Sequence, residues 1–341
     1  MSCHQHYRRS TWVRTAVTAV MGGLALSLFL ADVAVGTSDL SIFQALVALF
    51  APETDPTAFI VREIRLPSAL TAVTVGAALS LAGLLIQTIT ANPLASPTTL
   101  GITSGASFGA ALAITSGFSI AGELWLGPVS AAFAAALLIS GAILKIGHRN
   151  GMSPAALILA GIVMNFFFMA LQELLLYLAS PETAQLINGW TFGNLERAGK
   201  LAAAVPTVAL AAALVVTVPA VWELTTLSMG EERAESLGVP VEKLRLTAFA
   251  AAALLVAAAV SFIGTIGFLG LVAPHIARLL LGDDQRFLLP GTAFTGAALL
   301  SGASLAAKML SVGSLIPVGI VTSLVGVPFL FFLLIRSRRM L

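Results

Sequence analysis

Ten times along this chain an apolar run is closed by a short polar break, near residues 15–35, 69–89, 98–116, 128–146, 153–178, 201–221, 246–266, 271–282, 288–308 and 316–335. About 20 apolar residues cross a ~30 Å hydrocarbon core as a helix, and inside that core every backbone donor and acceptor must be satisfied by the protein itself. The pattern predicts an all-α, polytopic membrane protein of about ten transmembrane helices. Composition agrees, since 58% of the 341 residues are hydrophobic and 10% are charged, where a soluble domain carries about 25% charged residues. Little chain remains for extramembrane parts, which excludes a fused catalytic domain or receptor head, and residues 1–341 read as a single transmembrane domain. The run 271–282 is too short to cross unaided, so it either extends back through 267–270 or is a broken helix covered by its neighbours.

Charge sets the predicted orientation. With the N-terminus inside, the inner segments hold Arg8, Arg9, Arg14, Lys145, Arg149, Arg233, Lys243, Arg245, Arg278, Arg286, Arg336, Arg338 and Arg339. The outer segments hold Arg62, Arg65, Arg197, Lys200 and Lys308. Thirteen against five places both termini in the cytoplasm, and the net charge of +2 reads as topology, with no nucleic-acid partner implied. A tail at 1–14 and a loop at 222–245 then lie inside, and 36–66 lies outside. In that outer segment Leu40, Phe43, Leu46, Val47 and Phe50 fall at helical spacing, predicting a short helix on the outer interface.

Several motifs interrupt the spans. Asn92-Pro93-Leu94-Ala95-Ser96-Pro97 carries two prolines, each removing a backbone donor, so the segment is either a reverse turn at the inner surface or a functional broken helix. Gly101, Gly105 and Gly109 form a smooth stripe on which another helix backbone can approach. Gly-rich breaks occur in both halves, around 92–109 and 264–291, a pattern met in duplicated transporters. In the inner loop Ser228 and Glu231 have capping-box spacing, a short helix runs through Leu237, Gly238 suits its left-handed cap, and Pro240 stops it. Glu231, Glu232, Arg233 and Glu235 are its predicted outward groups, with Met229, Ala234 and Leu237 as an apolar stripe. Three carboxylates to one arginine are repelled by an anionic leaflet, which favours a protein partner.

Outside, Arg62, Arg65 and Lys308 are snorkelling anchors or a positive rim for an acidic partner. Glu173, in an apolar run, must face a cavity, a partner or the outer interface. His275 follows Pro274, precedes Arg278 by one helical turn, and is expected to hydrogen-bond between helices. The single cysteine, Cys3, excludes an internal disulfide and any Cys-based metal framework. There is no G-x-x-x-x-G-K-[ST] sequence, Gly199-Lys200 being followed by Leu201. No catalytic constellation or paired intramembrane carboxylates stand out, so neither catalytic residues, cofactor nor resident metal is expected.

Taken in order, these motifs resemble the FecCD family of permeases of type II ABC importers for iron-siderophore, haem and vitamin B12. The resemblance runs through Arg65-Leu66-Pro67, Gly76 to Gln87, Asn92 to Pro97 and Leu100-Gly101, then Trp190 through Gly193 to Leu195. It continues in Gly230-Glu231-Glu232 with Ala234 and Leu237-Gly238-Val239, in Gly264 to Gly270, in Pro274-His275 with Arg278, and in Pro317-Val318-Gly319 to Pro328-Phe329. It implies a homodimer, or a pair of related permeases, in a bacterial plasma (inner) membrane. Two cytoplasmic ATPase subunits and a periplasmic substrate-binding protein would be its partners, and a metal chelate, ferric siderophore first, its substrate. Gly230, Glu231, Glu232, Ala234, Leu237 and Gly238 match the family's ATPase-coupling helix. Arg65 matches the first arginine of a binding-protein docking motif whose second arginine is replaced here by Ser68. Arg62 is a substitute one turn earlier, Lys308 falls where another basic residue is common, and Leu315 stands where glutamate is usual. By the same analogy the fifth and tenth spans line the pathway, which implicates Asn165, Met169, Gln172 and Thr322.

Overall fold

The computed structural model describes residues 3–36, 41–52, 55–195, 199–311 and 316–337. The first span is α1 (Cys3–Ala34), followed by α2 (Ile42–Ala48), α3 (Pro56–Phe59), a π-helical turn over Ile60–Arg65 and α4 (Leu66–Thr90). Next come α5 (Ile102–Ser116), α6 (Leu126–Arg149), α7 (Pro154–Leu178), α8 (Pro181–Thr191), α9 (Lys200–Thr217), α10 (Val221–Ser228) and α11 (Glu231–Ser236). The chain ends with α12 (Val241–Ile263), α13 (Leu269–Leu281), α14 (Gln285–Leu310) and α15 (Val318–Ser337). Among the described residues, seven helices are long and apolar enough to cross a membrane, and three shorter apolar ones, in α5, α13 and α15, accompany them. The ten runs read from the sequence correspond one to one with these ten helices.

The bundle is built round α4, buried almost continuously from Pro67 to Thr90 and surrounded by α9, α12, α13 and α14. Small residues make this possible. Between helices in lipid the attraction comes from close packing, and Gly, Ala, Ser and Thr let backbones approach. Along α4 the residues Ala72, Gly76, Ala77, Ser80 and Gly83 are of this kind, and Gly76 lies against the Gly296 backbone of α14 while Gly83 lies against Gly270 of α13. The stripe on α5 behaves similarly, with Gly109 against the Ala131 carbonyl of α6, Gly105 against the Ile139 side chain and Gly101 against Asn165 of α7.

Two spans are short. α5 and α13, of 15 and 13 residues, are about 22 and 20 Å long at 1.5 Å per residue, less than a full crossing. The run 271–282 is thus the broken-helix case, its backbone covered by α1, α4, α14 and α15. Asn92 to Pro97 forms a turn: Ala91 caps α4 at φ 47°, and the Asn92 side chain accepts from the Leu94 amide. The helix predicted in 36–66 is α2, closed by a true capping box between Ser41 and Gln44, with Phe43, Val47 and Phe50 exposed. Leu40 and the side chain of Leu46 lie outside the described residues, as do Arg197, Leu315, Arg338 and Arg339.

Candidate functional site

At one end of the bundle α11 stands out as a helix of six residues between two chain reversals. Gly230 precedes it at φ 122°, and Gly238 follows it at φ 79° with the Val239 amide donating to the Ala234 carbonyl, 3.0 Å, a Schellman closure. The capping box expected between Ser228 and Glu231 does not form. Ser228 still belongs to α10 and donates to the Thr225 carbonyl, so Gly230 is the N-cap and Glu231 the first helical residue. A guanidinium takes the carboxylate instead. Glu232, Arg233 and Glu235 point outward as expected, but the apolar stripe divides: Ala234 is buried, whereas Met229 and Leu237 are 59% and 68% exposed.

The guanidinium is that of Arg245 on α12, 2% exposed. Nη1 and Nη2 donate to the two oxygens of Glu231 at 2.7 and 2.8 Å, and Nε donates to the Ile89 carbonyl of α4 at 3.0 Å. That carbonyl needs an outside donor. Its helical partner would be the amide of residue 93, and Pro93 has none. Hydrogen bonding to Arg245 holds the Glu231 carboxyl below its ordinary pKa. Around the same end of α4, Arg278 Nη1 donates to Gln87 Oε1 at 3.3 Å and Gln285 Nε2 to Thr88 Oγ1 at 3.2 Å, while the Gln285 amide reaches Thr225 Oγ1 of α10 at 3.1 Å. The last turn of α4 is therefore tied to α10, α11, α12, α13 and α14.

Beyond Pro97 the chain turns through Gly101, which has φ 72° and lies so close to α7 that a Cβ would stand 2.6 Å from the Asn165 amide nitrogen. Only glycine meets both demands. Asn165 accepts from Ser104, and Gln172, further along α7, donates to Thr191 Oγ1 at 3.1 Å; that hydroxyl also contacts Ser107, 3.3 Å. Two of the pathway residues inferred from resemblance are thus clasps between α7, α5 and α8, and Met169 is exposed. Thr191 also lines a cavity of about 660 Å³ with Phe192, Thr265, Gly267, Ser323 and Leu324 among its walls. Gly264, φ 82°, packs beside the Trp190 carbonyl, one residue before the lining residues Thr265 and Thr191 in each segment. Thr322 is turned away: it is buried, donates to the Gly319 carbonyl and lines a separate groove of about 280 Å³ beside Phe268 and Gly326. Its neighbour Ser323 faces the larger cavity. Thr191, Thr265 and Ser323 escaped the sequence reading, although all three sit within the matched motifs. His275 contacts the Phe329 ring edge-on at 6.2 Å, and Glu173 is exposed on α7.

At the other end the three cations read as anchors or a rim bond to acceptors of the chain itself. Arg62 Nε donates to the Leu49 carbonyl at 2.9 Å and Nη2 to that of Ala51 at 2.5 Å. Arg65, 5% exposed, donates to the Val33 and Ala34 carbonyls at the end of α1. Lys308 Nζ lies 2.8 Å from both Asp32 Oδ1 and the Asp32 carbonyl, and Ser304 donates to the same carboxylate. Asp32 is fully buried, so Lys308 is its counter-charge. Each cation is closer to its own chain's acceptors than the sequence alone allows one to foresee.

Comparison with known proteins places this geometry among membrane permeases. Residues 24–336 match the FecCD transport family. The iron(3+)-hydroxamate import system permease protein FhuB of Bacillus subtilis is 35% identical over 332 residues, 95% of this chain and 84% of that protein. The hemin transport system permease protein HmuU of Yersinia pestis is 37% identical over 276 residues, 81% of this chain and 83% of that one. Among solved structures, a metal-chelate type ABC transporter in an inward-facing conformation superposes with a TM-score of 0.83 at 30% identity, covering 94% of this chain and 99% of that chain.

Proposed function

We infer, from the premise that this chain belongs to the FecCD transport family, how its two ends divide the work of an ABC importer. The chain is a multi-pass membrane permease, a transport component. Its substrate is an iron chelate, in first place a ferric siderophore, as the iron-hydroxamate relative suggests; haem, as in the hemin relative, or cobalamin is the alternative within the same reading. Two copies, or this chain and a related permease, enclose the pathway in the inner membrane with both termini in the cytoplasm. Two separate ATPase subunits grip α11 from the cytoplasm, and a periplasmic binding protein delivers the chelate at the opposite end. Arg62 serves that docking surface by holding the Leu49 and Ala51 carbonyls, Arg65 by holding the end of α1, and Lys308 by anchoring α14 to α1.

One observation carries the reading. α11 is too short to stand alone, since isolated helices below about 12 residues are marginal, yet it is closed by a Schellman turn at its C-terminus, fastened to the bundle through Glu231, and flanked by outward-facing Met229, Leu237, Glu232 and Glu235. A helix so held, with its polar and apolar groups facing away, is a handle for another protein. Movement of that handle, driven by ATP-dependent closure of the partner subunits, switches the permease between outward-open and inward-open states, and the chelate passes by release into the newly opened side.

The test is uptake into proteoliposomes. With its ATPase and binding protein the chain should accumulate ferric chelate on addition of ATP; alone it should accumulate nothing. Accumulation by the lone chain, abolished by an uncoupler, would establish an ion-coupled transporter instead. Affinity of the binding protein for ferric hydroxamate, haem and cobalamin then decides the cargo.

A further inference from the structure

We propose that Arg245 is the strut that carries movement of α11 into the core of the permease, with Glu231 as its fitting on α11 and the Ile89 carbonyl as its fitting on α4. This rests on α11 being the ATPase handle. Glu231, which the resemblance places with the ATPase-contacting residues, is by geometry an internal fastener, and partner contact falls to Met229, Leu237, Glu232 and Glu235.

The argument starts from Pro93. It leaves the Ile89 carbonyl without its helical donor, and an unmet carbonyl at a buried helix end calls for a partner. Arg245 supplies it from α12, and having a rigid planar fork it uses its other two nitrogens on the two oxygens of Glu231. A guanidinium with both ends occupied transmits displacement in a way that a packed aliphatic side chain does not. From Ile89 the route continues through the turn 91–100 to Gly101, which is wedged against the Asn165 backbone of α7. Asn165 is the twelfth residue of α7, about 17 Å from its start at 1.5 Å per residue. A push on α11 therefore reaches the middle of a pathway helix through one side chain, one helix end and one tight turn.

The experiment uses the complete transporter in proteoliposomes and reads chelate moved per ATP hydrolysed, with co-purification of the ATPase as the check on assembly. Arg245→Met and Glu231→Met should keep the ATPase bound and lower the transport-to-hydrolysis ratio about tenfold, within the usual range of coupling between distant sites. Arg245→Lys, whose ammonium can still donate to the carbonyl and to one carboxylate oxygen, should recover most of that ratio; a merely structural role predicts no such rescue of coupling. If Arg245→Met fails to accumulate in the membrane, Glu231→Met, altered at the half-exposed end of the pair, decides alone. An unchanged ratio in Glu231→Met overturns the proposal. Met229→Ser with Leu237→Ser tests the premise separately: it should release the ATPase, and retention of the ATPase by that variant would refute the handle itself whatever Arg245 does.

Discussion

Replacing Gly83 by alanine should destabilise the bundle where α4 crosses the start of α13. A Cβ built there stands on the Gly270 carbonyl oxygen, 2.5 Å from the carbonyl carbon and 2.7 Å from the Gly270 Cα. Nonbonded carbons rest at about 3.5–4.0 Å, so the helices must part by roughly 1 Å. No rotamer can relieve the clash, because the obstacle is backbone, and α13 is held from behind by α14 and α15. Overpacking of this kind costs about 3 kcal/mol, the upper end of the usual range, against a helix-propensity gain of about 1 kcal/mol for alanine over glycine. The net loss of about 2 kcal/mol is roughly a thirtyfold fall in the folded-to-unfolded ratio, at 1.4 kcal/mol per tenfold. Gly141 in the middle of α6 supplies the control, since nothing lies within 4 Å of its virtual Cβ; there alanine should be neutral or stabilising. Reversible unfolding in mixed micelles, driven by sodium dodecyl sulfate and followed by tryptophan fluorescence, measures both. Equal midpoints for Gly83→Ala and Gly141→Ala would refute the close-crossing argument.

Lys308→Met should cost about 3–5 kcal/mol by stranding the buried Asp32 carboxylate, and Asp32→Asn with Lys308→Met should regain more than half of it in the same unfolding assay; equal damage from the single and double variants would show that Lys308 does not act as the counter-charge. Glu231 and Asp284 are both held below their ordinary pKa, by hydrogen bonds from Arg245 and Arg286 respectively. Their stabilisation is complete above the unfolded-state pKa and is lost as pH falls through the lowered folded-state values, so stability from these two pairs should be flat from pH 8 to pH 5 and decline only below about pH 4. A midpoint that falls between pH 7 and pH 5 in wild type, but not in Glu231→Gln or Asp284→Asn, would contradict this. Thr191→Val removes a hydroxyl bonded to Gln172 and Ser107 and should cost about 1–2 kcal/mol, with slower chelate uptake; uptake at the wild-type rate would remove Thr191 from the cavity wall's support.

The spans were legible because lipid leaves the backbone no alternative, so apolar length alone specified ten helices and marked 271–282 as too short to cross unaided. What stayed hidden depends on partners far away in sequence. The start of α11 could not be read from Ser228 and Glu231, because the carboxylate is claimed by a guanidinium on the next helix, whose position no local spacing encodes. Lys308 looked like a free outer cation until α14 packed on α1 and brought Asp32 beneath it, 276 positions away in the chain. Thr322 and Ser323 differ by one residue, a turn of about 100° on a helix, and the end residues of a span do not tell which neighbour faces the cavity. Asn165 and Gln172, named as pathway candidates, hold helices together through Ser104 and Thr191, a role that shared residue type cannot separate from contact with cargo.

The two halves of the chain repeat one device. A long helix, a non-helical break and a short helix occur as α4, 91–101 and α5, and again as α12, 264–268 and α13. Each short helix is entered through a residue in the left-handed region, Gly101 at φ 72° and Phe268 at φ 66°. Each entry is lodged on a neighbouring helix, Gly101 against Asn165 of α7 and Phe268 against Gly326 of α15. Glycine makes the first contact by removing its own Cβ, whereas in the second the glycine is on the opposing helix and the phenylalanine accepts the backbone strain. Arg245 stands on the long helix of the second unit and grips the end of the long helix of the first. On the proposal made above, a displacement arriving at α11 is thus applied between the two units and not within either one.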